Sequence, residues 1–123
     1  MKYWGLHYIA NVYKCNIGLI SNPSHVSTFC NNLVKRIDMK AYGSPQVLRF
    51  GEGNKYGITL LQPIETSSIT AHFCEEDGSA YIDVFSCKEF DSHDVNDIIK
   101  EYFKPEHIDF TMLERLAKKP ELK

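Results

Sequence analysis

Ser67-Ser68-Ile69-Thr70-Ala71-His72-Phe73-Cys74, then Glu75-Glu76-Asp77-Gly78, then Ala80-Tyr81-Ile82-Asp83-Val84-Phe85-Ser86-Cys87, read as a strand, a turn and a returning strand. Asp77-Gly78 is the strongest hairpin signal in the chain, because this pair can supply positive φ angles. Working upstream, a strand is predicted from Tyr56 to Ile64 and another at about 46–50. The turn-rich loop Gly51-Glu52-Gly53-Asn54-Lys55 lies between them.

Two amphipathic helices flank these strands. Val26, Phe29, Cys30, Leu33, Val34 and Ile37 form one continuous apolar stripe at helical spacing. Ser21-Asn22-Pro23-Ser24 offers the start, with a hydroxyl able to accept a free backbone N–H, and the helix should end before Gly43-Ser44-Pro45. A second helix, capped by Asp91 or Ser92, presents Val95, Ile98, Ile99 and Tyr102 and stops at Pro105. At the front, residues 3–13 alternate with apolar groups on both faces, which suits a central strand. Ile108, Phe110 and Met112 alternate in a last short strand, and the charged tail after Arg115 should fray. The order is strand, helix, four strands, helix, strand. Two such helices can cover one face of the sheet, so the expected fold is α+β: a single two-layer sandwich, 1–123, with a mainly antiparallel sheet.

Composition narrows the function classes. A chain of 123 residues supports one domain with a modest core, to which a partner subunit would add burial. A net charge of −2 gives no electrostatic reason to expect nucleic acid or an anionic membrane as partner. No apolar run approaches bilayer length, and Met1-Lys2-Tyr3-Trp4-Gly5-Leu6-His7 is too polar for a signal peptide. The expected location is cytoplasmic. Cys15, Cys30, Cys74 and Cys87 show no C-x-x-C pairing, so they read as thiols and no metal site is expected.

Taken singly, the reactive residues are unremarkable. His72 can be a satisfied sheet histidine, Cys87 a small buried hydrophobe, Glu75 and Glu76 solvated turn charges, and Phe50 part of the core. Taken in order, they form a pattern over about residues 2–90. It runs Gly5-x-His7-x-x-Ala10-x-x-Tyr13-x-Cys15, then Phe50, Gly57-Ile58-Thr59, Ser67, Ile69, His72, Glu76, Gly78 and Asp83-Val84-Phe85-x-Cys87. This set resembles the prokaryotic S-adenosylmethionine decarboxylases, and the Ser67–His72–Cys87 spacing needs no gap.

The resemblance implies a proenzyme that cuts its own backbone between Thr66 and Ser67. The Ser67 hydroxyl would attack the Thr66 carbonyl in an N-to-O acyl shift, and the later chain would begin with a pyruvoyl group at position 67. That covalent cofactor would condense with the substrate amine and act as an electron sink, as pyridoxal phosphate does elsewhere. His72 resembles the proton-handling residue of processing, and Thr59 stands where the family has an assisting serine. Cys87 resembles the acid that returns a proton to the substrate carbon. Phe50 matches an aromatic that stacks on adenine, and Glu76 a carboxylate that binds both ribose hydroxyls. The implied product is the aminopropyl donor for spermidine synthesis. The implied assembly is a homodimer of processed protomers, with active sites at or near the interface.

Ser67 and His72 are an odd number apart, so in a straight strand they would face opposite sides of the sheet. They would meet if Ser67 preceded the strand or sat on a bend, which Pro63 and the Glu65-Thr66 step allow. The chain also departs from the family. Thr66 replaces the usual glutamate, and its β-branch crowds the carbonyl under attack. Cys74-Glu75 replaces a Trp-Pro pair. Asn11 stands where an acidic residue is common, so Glu65 or Glu75 would have to attract the sulfonium cation. Besides S-adenosylmethionine decarboxylation, two readings accommodate these changes. One is a pyruvoyl-dependent ornithine or arginine decarboxylase; the other is a non-cleaving homologue that binds S-adenosylmethionine or regulates an active relative.

Overall fold

Alternation builds the sheet. In β4 (Ser67–Cys74) the side chains of Ile69, Ala71 and Phe73 are buried, while Ser68, Thr70 and His72 are half-exposed. The same rhythm runs through β1 (Gly5–Tyr13), β3 (Gly57–Ile64) and β5 (Ser79–Ser86). With β2 (Gln46–Phe50) and β6 (His107–Arg115) they form one antiparallel sheet in the order β2-β3-β4-β5-β1-β6. This computed structural model describes residues 2–120. Met1 and the last three residues of the charged tail lie outside it.

The helices α2 (Pro23–Arg36) and α3 (Ser92–Phe103) pack side by side over one face, giving the expected two-layer α+β sandwich. Phe29, Phe73 and Phe103 are fully buried between the layers. The Phe103 ring centroid lies 4.6 Å from that of Phe29 and 4.9 Å from that of Phe73. The buried Tyr8 hydroxyl donates to Asn96 Oδ1, so the polar atom it carries into the core is satisfied. Among the described residues the opposite face carries no helix, and Trp4, Leu61, Tyr81 and Leu113 are exposed.

Several local expectations shift. The first strand starts at Gly5, not residue 3. A Cβ at Gly5 would stand 2.6 Å from the Ser86 carbonyl oxygen, so only glycine lets β1 approach β5 so closely there. A short helix, α1 (Ile17–Ile20), precedes α2 and is capped by the Asn16 side chain. The cap of α2 is the Asn22 amide oxygen accepting from the His25 N–H, in place of the expected hydroxyl. Asp91 caps α3 as expected. In the β4–β5 turn only Gly78 takes a positive φ (+79°), while Asp77 closes the turn by accepting the Ser79 N–H. The last strand is not short. It has nine residues, because β1 offers it a full-length partner from Gly5–Arg115 to Tyr13–His107. Among the described residues no helix is long and apolar enough to cross a membrane.

Candidate active site

The predicted residues fall into two groups at opposite ends of β4. The first surrounds the Glu65-Thr66 turn, which joins β3 to β4 and leaves Ile64 and Ser67 as register partners. Ser67 is also the register partner of Ser86 on β5. The Cys87 N–H donates to the Thr66 carbonyl at 3.0 Å. This is the carbonyl that self-cleavage would attack, and the donor is aimed where negative charge would develop. The Thr66 hydroxyl is held within 2.7 Å of Ser86 Oγ and 3.4 Å of Met39 Sδ. Glu65 points away into solvent and pairs loosely with Lys40. Cys87 is half-buried, one residue past the end of β5.

The second group lies toward the β2 edge. His72 Nε2 sits 2.9 Å from the Lys55 carbonyl oxygen, which can only accept, so this nitrogen carries the proton. Nδ1 is then the acceptor, 2.8 Å from the Thr59 hydroxyl. Thr59 and His72 face each other as register partners on the uncovered face. Beside them is a hollow of about 320 Å³ lined by Asn54, Lys55, His72, Cys74, Asp77 and Tyr81. Phe50 ends β2 and is 53% exposed, so it is not core. Glu76 lies exposed in the β4–β5 turn and makes no ion pair among the described residues. Its neighbour Glu75 accepts both Arg49 Nε at 2.9 Å and Arg49 Nη2 at 2.6 Å. That bidentate pair removes Glu75 as a free carboxylate to replace the charge absent at Asn11.

Within one chain the two groups do not meet. Ser67 is the first residue of β4 and is paired on both sides, so it is neither before the strand nor on a bend. It shares the side-chain parity of Ile69, opposite to that of His72. Five residues of strand separate them by about 17 Å. The bend expected from Pro63 does not form, because Pro63 sits inside β3 opposite Ser68.

Sequence reasoning passed over a third cluster. Arg115 Nη1 donates to His7 Nδ1 at 2.9 Å, and His7 Nε2 faces Asp83 Oδ2 at 3.3 Å. The Arg115 guanidinium also lies 5.1 Å from the Phe85 ring centroid. His7, Asp83 and Phe85 were all in the quoted pattern, but their partner Arg115 is 108 residues from His7 in sequence. Ser86 and Met39 were likewise missed. Nothing local marks a serine inside a strand as the partner of a turn twenty residues earlier.

The sequence pattern of the family described as S-adenosylmethionine decarboxylase matches residues 6–116. An S-adenosylmethionine decarboxylase proenzyme from a Sulfurihydrogenibium species is 32% identical over 116 residues, covering 93% of this chain and 84% of that protein. One from Clostridium botulinum is 28% identical over 102 residues, covering 82% and 84%. The crystal structure of the adenosylmethionine decarboxylase from Aquifex aeolicus aligns with a TM-score of 0.78 over 98% of both chains at 24% identity, a likeness of fold. With the family pattern spanning nearly the whole chain, and that sheet and those helices beneath it, the chain belongs to the S-adenosylmethionine decarboxylase family.

Proposed function

We propose that this protein cuts itself between Thr66 and Ser67 and then decarboxylates S-adenosylmethionine in active sites shared by two copies of the chain. The observation that carries the reading is the Thr66 carbonyl seated on the Cys87 N–H, with the Thr59–His72 pair held apart on the same sheet. A two-fold axis lying between two such sheets, across the strands, would bring the turn end of one copy against the histidine end of the other, and Ser67, which starts on the helix-side parity, would turn about the Thr66–Ser67 step to present its hydroxyl between the sheets. The uncovered face, with exposed Trp4, Leu61, Tyr81 and Leu113, is the surface such a dimer would bury.

In cleavage, the Ser67 oxygen attacks the Thr66 carbonyl carbon, and the Cys87 N–H stabilises the oxyanion. The C–N bond then breaks, the leaving nitrogen takes up the proton lost by the Ser67 hydroxyl to become a free amine, and an ester joins residues 66 and 67. Loss of the Ser67 α-proton breaks the ester, releasing Thr66 as a carboxylate, and hydrolysis of the remaining enamine releases ammonia. The partner's His72 serves these proton transfers. Because Thr59 donates to Nδ1, the outward lone pair of Thr59 can take a proton while its own passes to the imidazole.

The residues present fit a pyruvoyl group at position 67: a serine opens a strand, with an amide donor on the preceding carbonyl. Such a group supplies a ketone conjugated to an amide, which accepts the electron pair left as carbon dioxide departs. The chain's own residues then bind and protonate. Phe50 offers an exposed ring to adenine, Glu76 a free carboxylate to the ribose hydroxyls, and Cys87 a thiol to the substrate carbon. The exposed Phe50 ring favours a nucleoside substrate over ornithine or arginine, neither of which offers a planar ring to stack on it. A reducing, cytoplasmic setting keeps the Cys87 thiol available.

Complementation tests the shared site. Ser67→Ala alone should stay a single chain and release no carbon dioxide from S-adenosylmethionine, and His72→Ala should remain almost uncut. Co-expressed, they should yield a fragment of roughly 66 residues and recover activity, because the mixed dimer contains one site with both Ser67 and His72. No fragment from the mixture would refute the shared site, and no fragment from the unaltered chain would refute self-cleavage.

A further inference from the structure

We propose that Ser86 is a positioning residue for self-cleavage: it grips the Thr66 hydroxyl and so seats the neighbouring carbonyl on the Cys87 N–H. The inference rests on the reading that the Thr66–Ser67 bond is cut. Ser86 is fully buried, one of only three buried polar side chains among the described residues. Its hydroxyl accepts the Lys88 N–H at 3.0 Å and donates to Thr66 Oγ1 at 2.7 Å. Thr66 Oγ1 is then free to donate to Met39 Sδ at 3.4 Å. Met39 Sδ also lies 3.5 Å from Ser86 Oγ, so the sulfur accepts from within a closed triangle with the two hydroxyls.

Residue 66 is thus clamped at two points by two consecutive residues. Ser86 holds its side chain, and Cys87 holds its carbonyl oxygen at 3.0 Å. Threonine has few χ1 rotamers, so fixing Oγ1 also limits the backbone rotation that could swing the carbonyl away. Ser86 is also the register partner of Ser67, so the strand that orients the nucleophile carries the clamp on its electrophile. Attack on a planar amide tolerates little misalignment, and small displacements cost large factors in rate. The arrangement suits this chain in particular, because a threonine at position 66 reaches no farther than the adjacent strand.

The test follows conversion of freshly synthesised full-length chain into two fragments by intact mass. Ser86→Ala should slow conversion about tenfold or more, and Thr66→Val should slow it similarly. The double variant should be no slower than the worse single one, since both remove the same bond. Ser86→Thr should restore the rate to within about threefold of the unaltered chain. Hydroxylamine, which cleaves esters, should not accelerate fragment formation in Ser86→Ala, because the defect precedes the ester. The melting temperature of Ser67→Ala, with and without Ser86→Ala, measures the folding cost separately. An unaltered rate in Ser86→Ala, multiplicative slowing in the double variant, or slowing that tracks the melting temperature without rescue by Ser86→Thr would each overturn the proposal. In those outcomes the unaltered chain still cleaves. If the unaltered chain never cleaves, the underlying reading fails and the proposal with it.

Discussion

The two ends of β4 are built differently. At the Thr66–Ser67 end the geometry is held by backbone and buried hydroxyls: a Cys87 N–H, a fully buried Ser86, a register pair on each side of Ser67. At the His72 end it is held by side chains near the sheet edge: Thr59 and the Lys55 carbonyl on the imidazole, and Arg49 on Glu75. One end suits a reaction performed once on the chain's own peptide, where rigidity serves alignment. The other has a hollow beside His72, with Phe50 exposed at the end of β2 and Glu76 exposed in the β4–β5 turn, which suits a ligand that must enter and leave. Both depend on one sheet, so substitutions should separate their local roles from the shared scaffold.

The largest expected effect tests the scaffold. Phe103→Ala should destabilise the fold by about 3–5 kcal/mol, because the ring is fully buried between Phe29 and Phe73 and would leave a cavity. Denaturant unfolding of the Ser67→Ala chain, with and without Phe103→Ala, measures this; a loss under about 1 kcal/mol would mean that the layers repack freely. Next, Thr59→Val should slow cleavage by about 10- to 100-fold while Thr59→Ser keeps most of the rate, since the proposed proton relay runs through the hydroxyl on His72 Nδ1. Equal rates in all three chains would make the Thr59 contact merely structural and erase one side of the contrast. The smallest effect belongs to Arg49→Met. Its ion pair with Glu75 is partly exposed and should contribute little to stability. Yet it ties β2, which carries Phe50, to the turn that carries Glu76. The variant should raise KM for S-adenosylmethionine several-fold with kcat nearly unchanged; a fall in kcat alone would show that the clamp serves the reaction and not binding.

Legibility in the sequence followed range. The β4–β5 hairpin, both helix stripes and the central character of β1 were readable because each is a repeat within a short window. The Asp91 cap was readable for the same reason. The caps at Asn16 and Asn22 were not singled out, although asparagine is a common cap. The full length of β6 could not be seen, because it comes from pairing with β1 about a hundred residues away. Thr59 was placed beside His72 by resemblance, and the register across β3 and β4 puts them 2.8 Å apart. Ser67 and His72 gave the opposite lesson: adjacency in a motif suggested a shared pocket, and strand geometry separates them.

The order of residues alone was sufficient for an α+β sandwich with its helices on one side and for the family pattern, because periodicity and motif spacing are properties of the chain itself. Only the folded sheet decided that the first strand lies between the fifth and the sixth. It also decided that the Thr66–Ser67 turn is pinned by Ser86 and Cys87, and that the Thr59–His72 pair stands a strand's length away. The reason is geometric. A strand advances about 3.3 Å per residue and reverses its side chains at every step, so register, and not proximity in sequence, sets which groups can touch.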